Sequence, residues 1–414
     1  MNSQTPAPSC RFCEKALVHT FCNLGMSPPS NAYLTEDSLR YAETFFPLHA
    51  MVCDGCKLVQ LEQFQAPSEI FSDYAYFSSY SESWLRHAKA YVEKMTLRLD
   101  LNEKNQVVEI ASNDGYLLQY FQQKGIPVLG IEPAGNVAEV AVAKGIDTVV
   151  AFFGVKTAEK LVADGTKADL LLGNNVLAHV PDINDFVKGM AVLLAEDGTL
   201  TMEFPHLLKL MLFNQFDTIY HEHFSYLSLH TVQIIFAAHG LTIFDVDEIP
   251  THGGSLRIYG KHAELSPAQS ANATKVLNDE KEAGLCETET YTQFQRTVQE
   301  TKRALLSFLI DAKNNGLSIV GYGAAAKGNT LLNYCGVRED FIDYVVDKSP
   351  HKQGHFLPGT HIPICSPERI LETKPDYVLI LPWNIQEEVI EQMGSIRAWG
   401  GRFVVPIPTV KVLD

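Results

Sequence analysis

The chain has 414 residues, enough for two or three domains with cores of their own, and its 46% hydrophobic and 20% charged composition is that of ordinary globular proteins. A formal net charge of −16 argues against non-specific nucleic-acid binding, which rests on Lys and Arg neutralising phosphates. No apolar run reaches the length of a membrane span, and MNSQTPAPSC lacks the basic start and apolar stretch of a secretory leader, so the cytosol is the expected location.

Residues 1–70 read as a zinc-binding module. Four of the eight cysteines form Cys10-x2-Cys13 and Cys53-x2-Cys56. In a reducing compartment this pattern means metal rather than disulfides, and four thiolates would hold one tetrahedral Zn2+ with no open position, hence a structural site. Gly55 is expected to supply the tight turn of the second knuckle. Strands are expected over 48–52 and 57–61, entering and leaving that knuckle. Cys22, Cys286, Cys335 and Cys365 read as core or incidental residues.

From 71 to 250 strands and helices alternate. Strands over 106–111, 127–131, 169–173 and 199–204, with helices over 116–124 and 136–144 closed by Gly125 and Gly145, predict a parallel, doubly wound α/β sheet. The first strand runs into Glu109-Ile110-Ala111-Ser112-Asn113-Asp114-Gly115, and a helix follows. This turn lacks the three glycines of the dinucleotide fingerprint, and a single Gly115 suits an adenosyl cofactor that has no pyrophosphate. The second strand ends in Glu132-Pro133, where a carboxylate can accept from both ribose hydroxyls. The third runs into Asn174-Asn175. That order is the layout of S-adenosylmethionine enzymes, so Glu109, Ser112, Asn113, Asp114, Gly115, Glu132, Pro133, Asn174 and Asn175 are the expected cofactor residues.

Residues 220–226 read Tyr-His-Glu-His-Phe-Ser-Tyr, a dense set of proton-handling groups. A cofactor turn followed by an acid–base cluster is what a group-transfer enzyme needs. In a regular strand Tyr220 and Glu222 would share one face, and His221 and His223 the other. His252-Gly253-Gly254-Ser255-Leu256-Arg257 is a glycine-rich turn with one cation; it lines a pocket or is a plain hairpin.

Residues 267–315 carry a long polar helical pattern, after which the alternation resumes as a second α/β unit within 251–414. Its strands are expected over 317–321, 341–346, 376–381 and 402–406, with a helix over 324–334. The loop Gly321-Tyr322-Gly323-Ala324-Ala325-Ala326-Lys327-Gly328-Asn329 opens that helix, where exposed amides attract phosphate and Lys327 adds positive charge. Asp347 ends the next strand, in reach of a ribose. Read alone, Gly321-x-Gly323 points to NAD.

Taken together, the knuckles, EIASNDGYLL (109–118), GIEPAGNVAEVA (130–141), NNVLAHV (174–180), YHEHFSY (220–226), HGGSLRIY (252–259) and GYGAAAKGNTLLNY (321–334) resemble the SAM-dependent sugar C-methyltransferases, in the family's order and over nearly the whole chain. The resemblance implies a zinc-binding domain, a central Rossmann-like methyltransferase domain and a C-terminal Rossmann-like domain that helps bind a nucleotide-diphosphate keto-deoxysugar. Gly321, Tyr322, Gly323, Ala324, Lys327, Asn329, Asp347 and Arg257 would serve that substrate. It makes His223 the base, with His221 as its rival, Glu222 the group that orients or tunes it, and Tyr220 the donor to the ketone oxygen. Tyr76 and His179 match further active-site positions. This carry-over requires a bend at 220–223 rather than a straight strand. Two other readings stand beside it: an NAD-dependent sugar-nucleotide oxidoreductase, and a zinc-ribbon RNA methyltransferase, which the negative charge opposes.

Overall fold

The computed structural model describes residues 8–67 and 77–413; Tyr76, an expected active-site residue, lies outside the described residues. Among these residues the strands form sheets of four, seven and six members.

The N-terminal sheet contains β1 (His19–Ser27), β2 (Phe46–Val52) and β3 (Val59–Leu61), all antiparallel. Both knuckles close the same way: Glu14 and Lys57, each four residues past its first cysteine, take φ of 63° and 60°, and the amide of each bonds back to that cysteine's carbonyl. Gly55 does not supply this left-handed turn, contrary to expectation. A Cβ there would meet only the exposed Lys15 side chain, which is free to move aside.

The central unit runs from α1 (Glu82–Leu99) through β4 (Val107–Ile110), α2 (Leu118–Gln122), β5 (Val128–Ile131), α3 (Gly135–Ala143), β6 (Thr148–Val149), α4 (Val155–Ala163), β7 (Ala168–Asn174), α5 (Ile183–Leu193) and β8 (Leu194–Pro205). Ser81 and Asp182 cap α1 and α5 by accepting the amides of Trp84 and Asp185. After the two-residue β9 (Ser225–Tyr226) come α6 (Leu229–Ala237) and a long hairpin, β10 (Leu241–Ile249) with β11 (Ser255–His262). The strand order is β10-β11-β8-β7-β4-β5-β6, parallel except for β11, which runs antiparallel to both neighbours. The expected division at residue 250 therefore falls inside this hairpin, and β11 completes the central sheet. Parallel strands with helical crossovers bury both faces, which is why all four residues of β4, Glu109 included, and the Leu170–Gly173 stretch of β7 are buried.

The helical stretch splits at Gly284 (φ 83°) into α7 (Ala271–Glu282) and the long α8 (Thr288–Asn314). The C-terminal unit follows with β12 (Ile319–Tyr322), α9 (Ala326–Cys335), β13 (Val345–Val346), β14 (Ile364–Cys365), β15 (Tyr377–Ile380), β16 (Arg402–Val405) and β17 (Lys411–Leu413). Its order β14-β13-β12-β15-β16-β17 is parallel apart from the last strand.

The N-terminal sheet is wedged between the other two units. Phe21 of β1 stacks on Phe294 of α8 at 4.8 Å between centroids. The knuckles bury against α6, where Thr231 Oγ1 donates to the Cys56 carbonyl at 3.2 Å. β3 pairs with β9, Val59 opposite Tyr226 and Gln60 opposite Ser225.

Candidate active site and metal centre

The four cysteine sulfurs lie within 4.8 Å of one another, with Cys13–Cys53 at 3.4 Å, Cys10–Cys56 at 3.6 Å and Cys13–Cys56 at 3.8 Å. A tetrahedron with Zn–S bonds of about 2.3 Å has edges of about 3.8 Å, so the thiolates fit one Zn2+. Gln60 Nε2 donates to Cys10 Sγ at 3.2 Å, an outer bond of the kind that orients a ligand.

A cavity of about 960 Å3 lies where the three units meet, within the size range of ligand sites. One end is formed by the turn after β4. Ala111, Asn113 and Gly115 all have positive φ (57°, 50° and 74°), which coils the backbone into a tight cradle. Any other residue at Gly115 is strained by its φ of 74°, and its Cβ would press on Ile146 Cδ1. Glu132, at the end of β5, ties the cradle: its carboxylate accepts from Asn113 N and Ala134 N, both at 2.9 Å. Burial raises the Glu132 pKa, against these two bonds. Each oxygen keeps a second lone pair for a ribose hydroxyl. Asn113, Glu132, Pro133, Asn174 and Asn175 line the cavity, while Glu109 is fully buried behind the turn and Asp114 is ion-paired to Lys144 at 3.2 Å. Burial pushes the Glu109 carboxyl well above the usual range. Ser112 supports the cradle from beneath, its Oγ close against Gly130. The cradle fits an adenosyl cofactor, which would bring an electrophilic methyl group to the cavity. Glu132→Gln should raise the Kd for S-adenosylmethionine about ten- to a hundredfold, the worth of charge-assisted bonds, read by calorimetry.

The other end is built on residues 216–226. The chain turns at 220–223, with His223 N bonding to Tyr220 O at 2.9 Å, so the required bend is present. It brings Tyr220 Oη to 3.0 Å from His223 Nε2. His223 Nδ1 donates to the Thr218 carbonyl at 2.9 Å, which leaves the lone pair on Nε2. The orienting group is thus Thr218 O, not the Glu222 carboxylate. Glu222 instead accepts from Asn31 Nδ2 at 2.6 Å, and its carbonyl takes the His179 Nδ1 proton at 2.8 Å. The His179 and His223 rings meet edge-on at 4.6 Å. Burial holds His223 well below the usual imidazole range, aided by His179 and Lys327 nearby, and holds His179 down to about 4. Burial raises Glu222. The rival His221 turns away from the cavity; it is 6% exposed, sits edge-on to Phe46 and Phe64, and contacts Pro47 O at 3.3 Å.

The C-terminal residues divide. Lys327 reaches the cavity. Gly321, Tyr322, Gly323, Ala324, Asn329 and Asp347 are not among its lining residues. Asp347 is occupied within the protein, accepting from Ala324 N and Ser349 N at 2.8 Å each. Arg257 lies opposite Glu203 across β11 and β8, bonds to it at 2.7 Å, and covers the Tyr91 ring, so it belongs to the interior of the central unit. Asn31, Lys352 and Asn384 line the cavity without having been assigned to it from sequence, and His252 lines it as the pocket reading of its glycine-rich turn expects. The first three carry no local signal: Asn31 and Lys352 lie in turns and Asn384 in a single 3-10 turn.

Sheet order, cradle and ribose-type carboxylate define a Rossmann-like S-adenosylmethionine-dependent methyltransferase. A methyltransferase domain model matches residues 84–246, a C-methyltransferase C-terminal domain residues 250–408, and a zinc binding domain residues 10–71. The chain is 35% identical to C-methyltransferase NovU of Streptomyces niveus over 409 residues, 99% of this chain and 97% of that protein. It is 28% identical over 95 residues to the ubiquinone biosynthesis O-methyltransferase of Bartonella bacilliformis, 23% of this chain and 38% of that one. The solved PH0226 protein of Pyrococcus horikoshii aligns at 14% identity and a TM-score of 0.38, over 48% of this chain and 99% of that chain. The chain belongs to the C-methyltransferase family that joins a zinc-binding, a methyltransferase and a C-terminal domain. It is a SAM-dependent C-methyltransferase with a structural zinc site. Among the described residues no helix is long and apolar enough to cross a membrane.

Proposed function

We propose that the enzyme C-methylates a nucleotide-linked 4-keto-6-deoxysugar at C3, in deoxysugar biosynthesis in the cytosol. The observation that carries this is the Tyr220–His223 pair, with a lone pair on Nε2, in the same cavity as the cofactor cradle. A carbon next to a ketone becomes a nucleophile only after losing a proton. That step needs a base that is neutral at working pH and donors aimed at the oxygen that gains charge. His223 Nε2 takes the C3 proton. The Tyr220 hydroxyl sits beside it as a candidate donor. The C-terminal unit, from β12 onward, is the proposed holder of the nucleotide.

The NAD-dependent alternative relies on the Gly321 loop. There the acid that would meet a ribose, Asp347, lies off the cavity lining and has the Lys352 ammonium 3.4 Å from one oxygen, and Pro382 presses on Gly323, 2.5 Å from where a Cβ would stand. The test is incubation with S-adenosylmethionine and dTDP-, GDP- and CDP-linked 4-keto sugars. One member should yield a sugar heavier by one methylene, with an equal amount of S-adenosylhomocysteine. Formation of neither, with tight NAD binding, would reverse the ranking.

A further inference from the structure

Lys327 stands where the glycine-rich loop of the C-terminal unit meets the catalytic cavity. Three amides of the loop before it bond within the protein: Gly321 N to Tyr344 O at 2.9 Å, Gly323 N to Val346 O at 2.7 Å and Ala324 N to the Asp347 carboxylate at 2.8 Å. These three do not face a phosphate, while Ala325 and Ala326 at the start of α9 line the cavity. The Lys327 ammonium donates to Asn384 Oδ1 at 2.7 Å and lies 4.6 Å from the centroid of the Trp383 ring. Trp383 Nε1 in turn donates to Asp217 Oδ2 at 2.8 Å. The next residue, Thr218, supplies the carbonyl that takes the His223 Nδ1 proton. Lys327 is thus connected through Trp383 and Asp217 to the segment that sets the tautomer of the base.

We propose that the Lys327 ammonium is a catalytic group, which faces the carbonyl oxygen of the methyl acceptor and stabilises the negative charge that forms there when His223 takes the neighbouring proton. The proposal rests on the keto-sugar reading above. In the step, the C–H bond breaks, its proton goes to His223 Nε2, and its electron pair moves through a new C=C bond onto the oxygen. The pair then returns as the carbon forms its bond to the methyl group. The S–CH3 electrons stay with sulfur, and the imidazolium releases its proton to solvent. His179 and His252 line the same cavity, but burial holds both at about 4, so they are neutral and cannot meet a full negative charge with a full positive one. The field of Lys327 also lowers His223 and His252, so one placement keeps the base neutral and favours the anion. Burial lowers Lys327 itself, with Asp217 as the opposing charge.

The rival role for this lysine is a diphosphate contact, and the two roles separate experimentally. Lys327→Met and Lys327→Arg are compared with the parent in three measurements. The first is exchange of the C3 hydrogen of the keto sugar with D2O in the absence of S-adenosylmethionine, followed by NMR. The second is kcat and KM. The third is the Kd for the free nucleoside diphosphate (dTDP, GDP or CDP) of the sugar that is turned over. The Met variant should lose exchange and kcat together, by about a hundred- to a thousandfold, with nucleoside diphosphate Kd within about threefold. Arg should recover about tenfold or more of the loss. A Kd for the nucleoside diphosphate raised tenfold, with saturated kcat unchanged, overturns the proposal in favour of the phosphate role. S-adenosylmethionine affinity reports folding; should the Met variant fail it, Lys327→Gln is read by the same criteria. If the parent enzyme neither exchanges nor methylates any keto sugar, the substrate reading fails first and takes the proposal with it.

Discussion

Replacing His223 by alanine will lower kcat about a thousandfold, while the Kd for S-adenosylmethionine stays within about threefold of the parent. A positioned general base contributes roughly a hundred- to ten-thousandfold, and His223 carries the features of one. Its Nδ1 proton is committed to the Thr218 carbonyl at 2.9 Å, and Nε2 meets Tyr220 Oη at 3.0 Å inside the cavity. The cofactor cradle lies on other elements and is untouched by the change. His221→Ala is the internal comparison, since that ring faces Phe46 and Phe64 and its loss is felt in stability rather than in turnover. Near-parental kcat in His223→Ala, together with collapse in His179→Ala, would move the base role to His179.

The pH profile gives an independent reading of the same group. Burial places the His223 pKa well below 6.5, so the fraction of neutral imidazole stays high at and below that pH. The acidic limb of kcat/KM should therefore fall below 6.5, where an unperturbed histidine would place it. Stability moves in the same direction. His179 and His252 are held at about 4 and His223 is also lowered, so the unfolded chain binds more protons than the folded one as pH drops below about 6.5. The stabilisation is complete above that pH and is lost as pH falls from there toward the folded values. Acid unfolding monitored by circular dichroism checks it.

Removing the zinc, by a chelator or by Cys56→Ser, will abolish activity as well as unfold the N-terminal sheet. Thiolate zinc sites contribute on the order of 10 kcal/mol to the folding of the unit that holds them. Sequence reasoning alone expects a loss of stability without a direct chemical effect. The structure adds a route to the chemistry: β3, which leaves the second knuckle, pairs with β9, and Leu61 N bonds to Phe224 O at 3.0 Å, one residue past His223. Metal analysis of the purified parent should return about one zinc per chain. A metal-free Cys56→Ser protein with parental kcat would refute the coupling.

The parts legible in the sequence are those written in local spacing. The cysteine pairs, the βα alternation around Gly115 and Glu132, and the need for a bend at Tyr220–His223 are all set within a few residues of one another. What could not be read depends on partners distant in the chain. Asn31 meets Glu222 across 191 positions, and Trp383 meets Asp217 across 166. β11 enters the central sheet because its buried face completes that core, which strand propensity alone does not reveal. The Gly321 loop has a phosphate-binding pattern, yet the amides of Gly321, Gly323 and Ala324 bond to Tyr344, Val346 and Asp347, and only the packed structure shows this.

The pairing of Val59–Gln60 with Ser225–Tyr226 has a consequence for how the enzyme comes into being. The leading ribbon leaves the ribosome before its partner strand exists, so its edge stays open for some 160 further residues. A truncated chain that starts after the ribbon would lack the strand that pairs beside His223, leaving that residue's own segment, through Thr218 and Tyr220, as its remaining support.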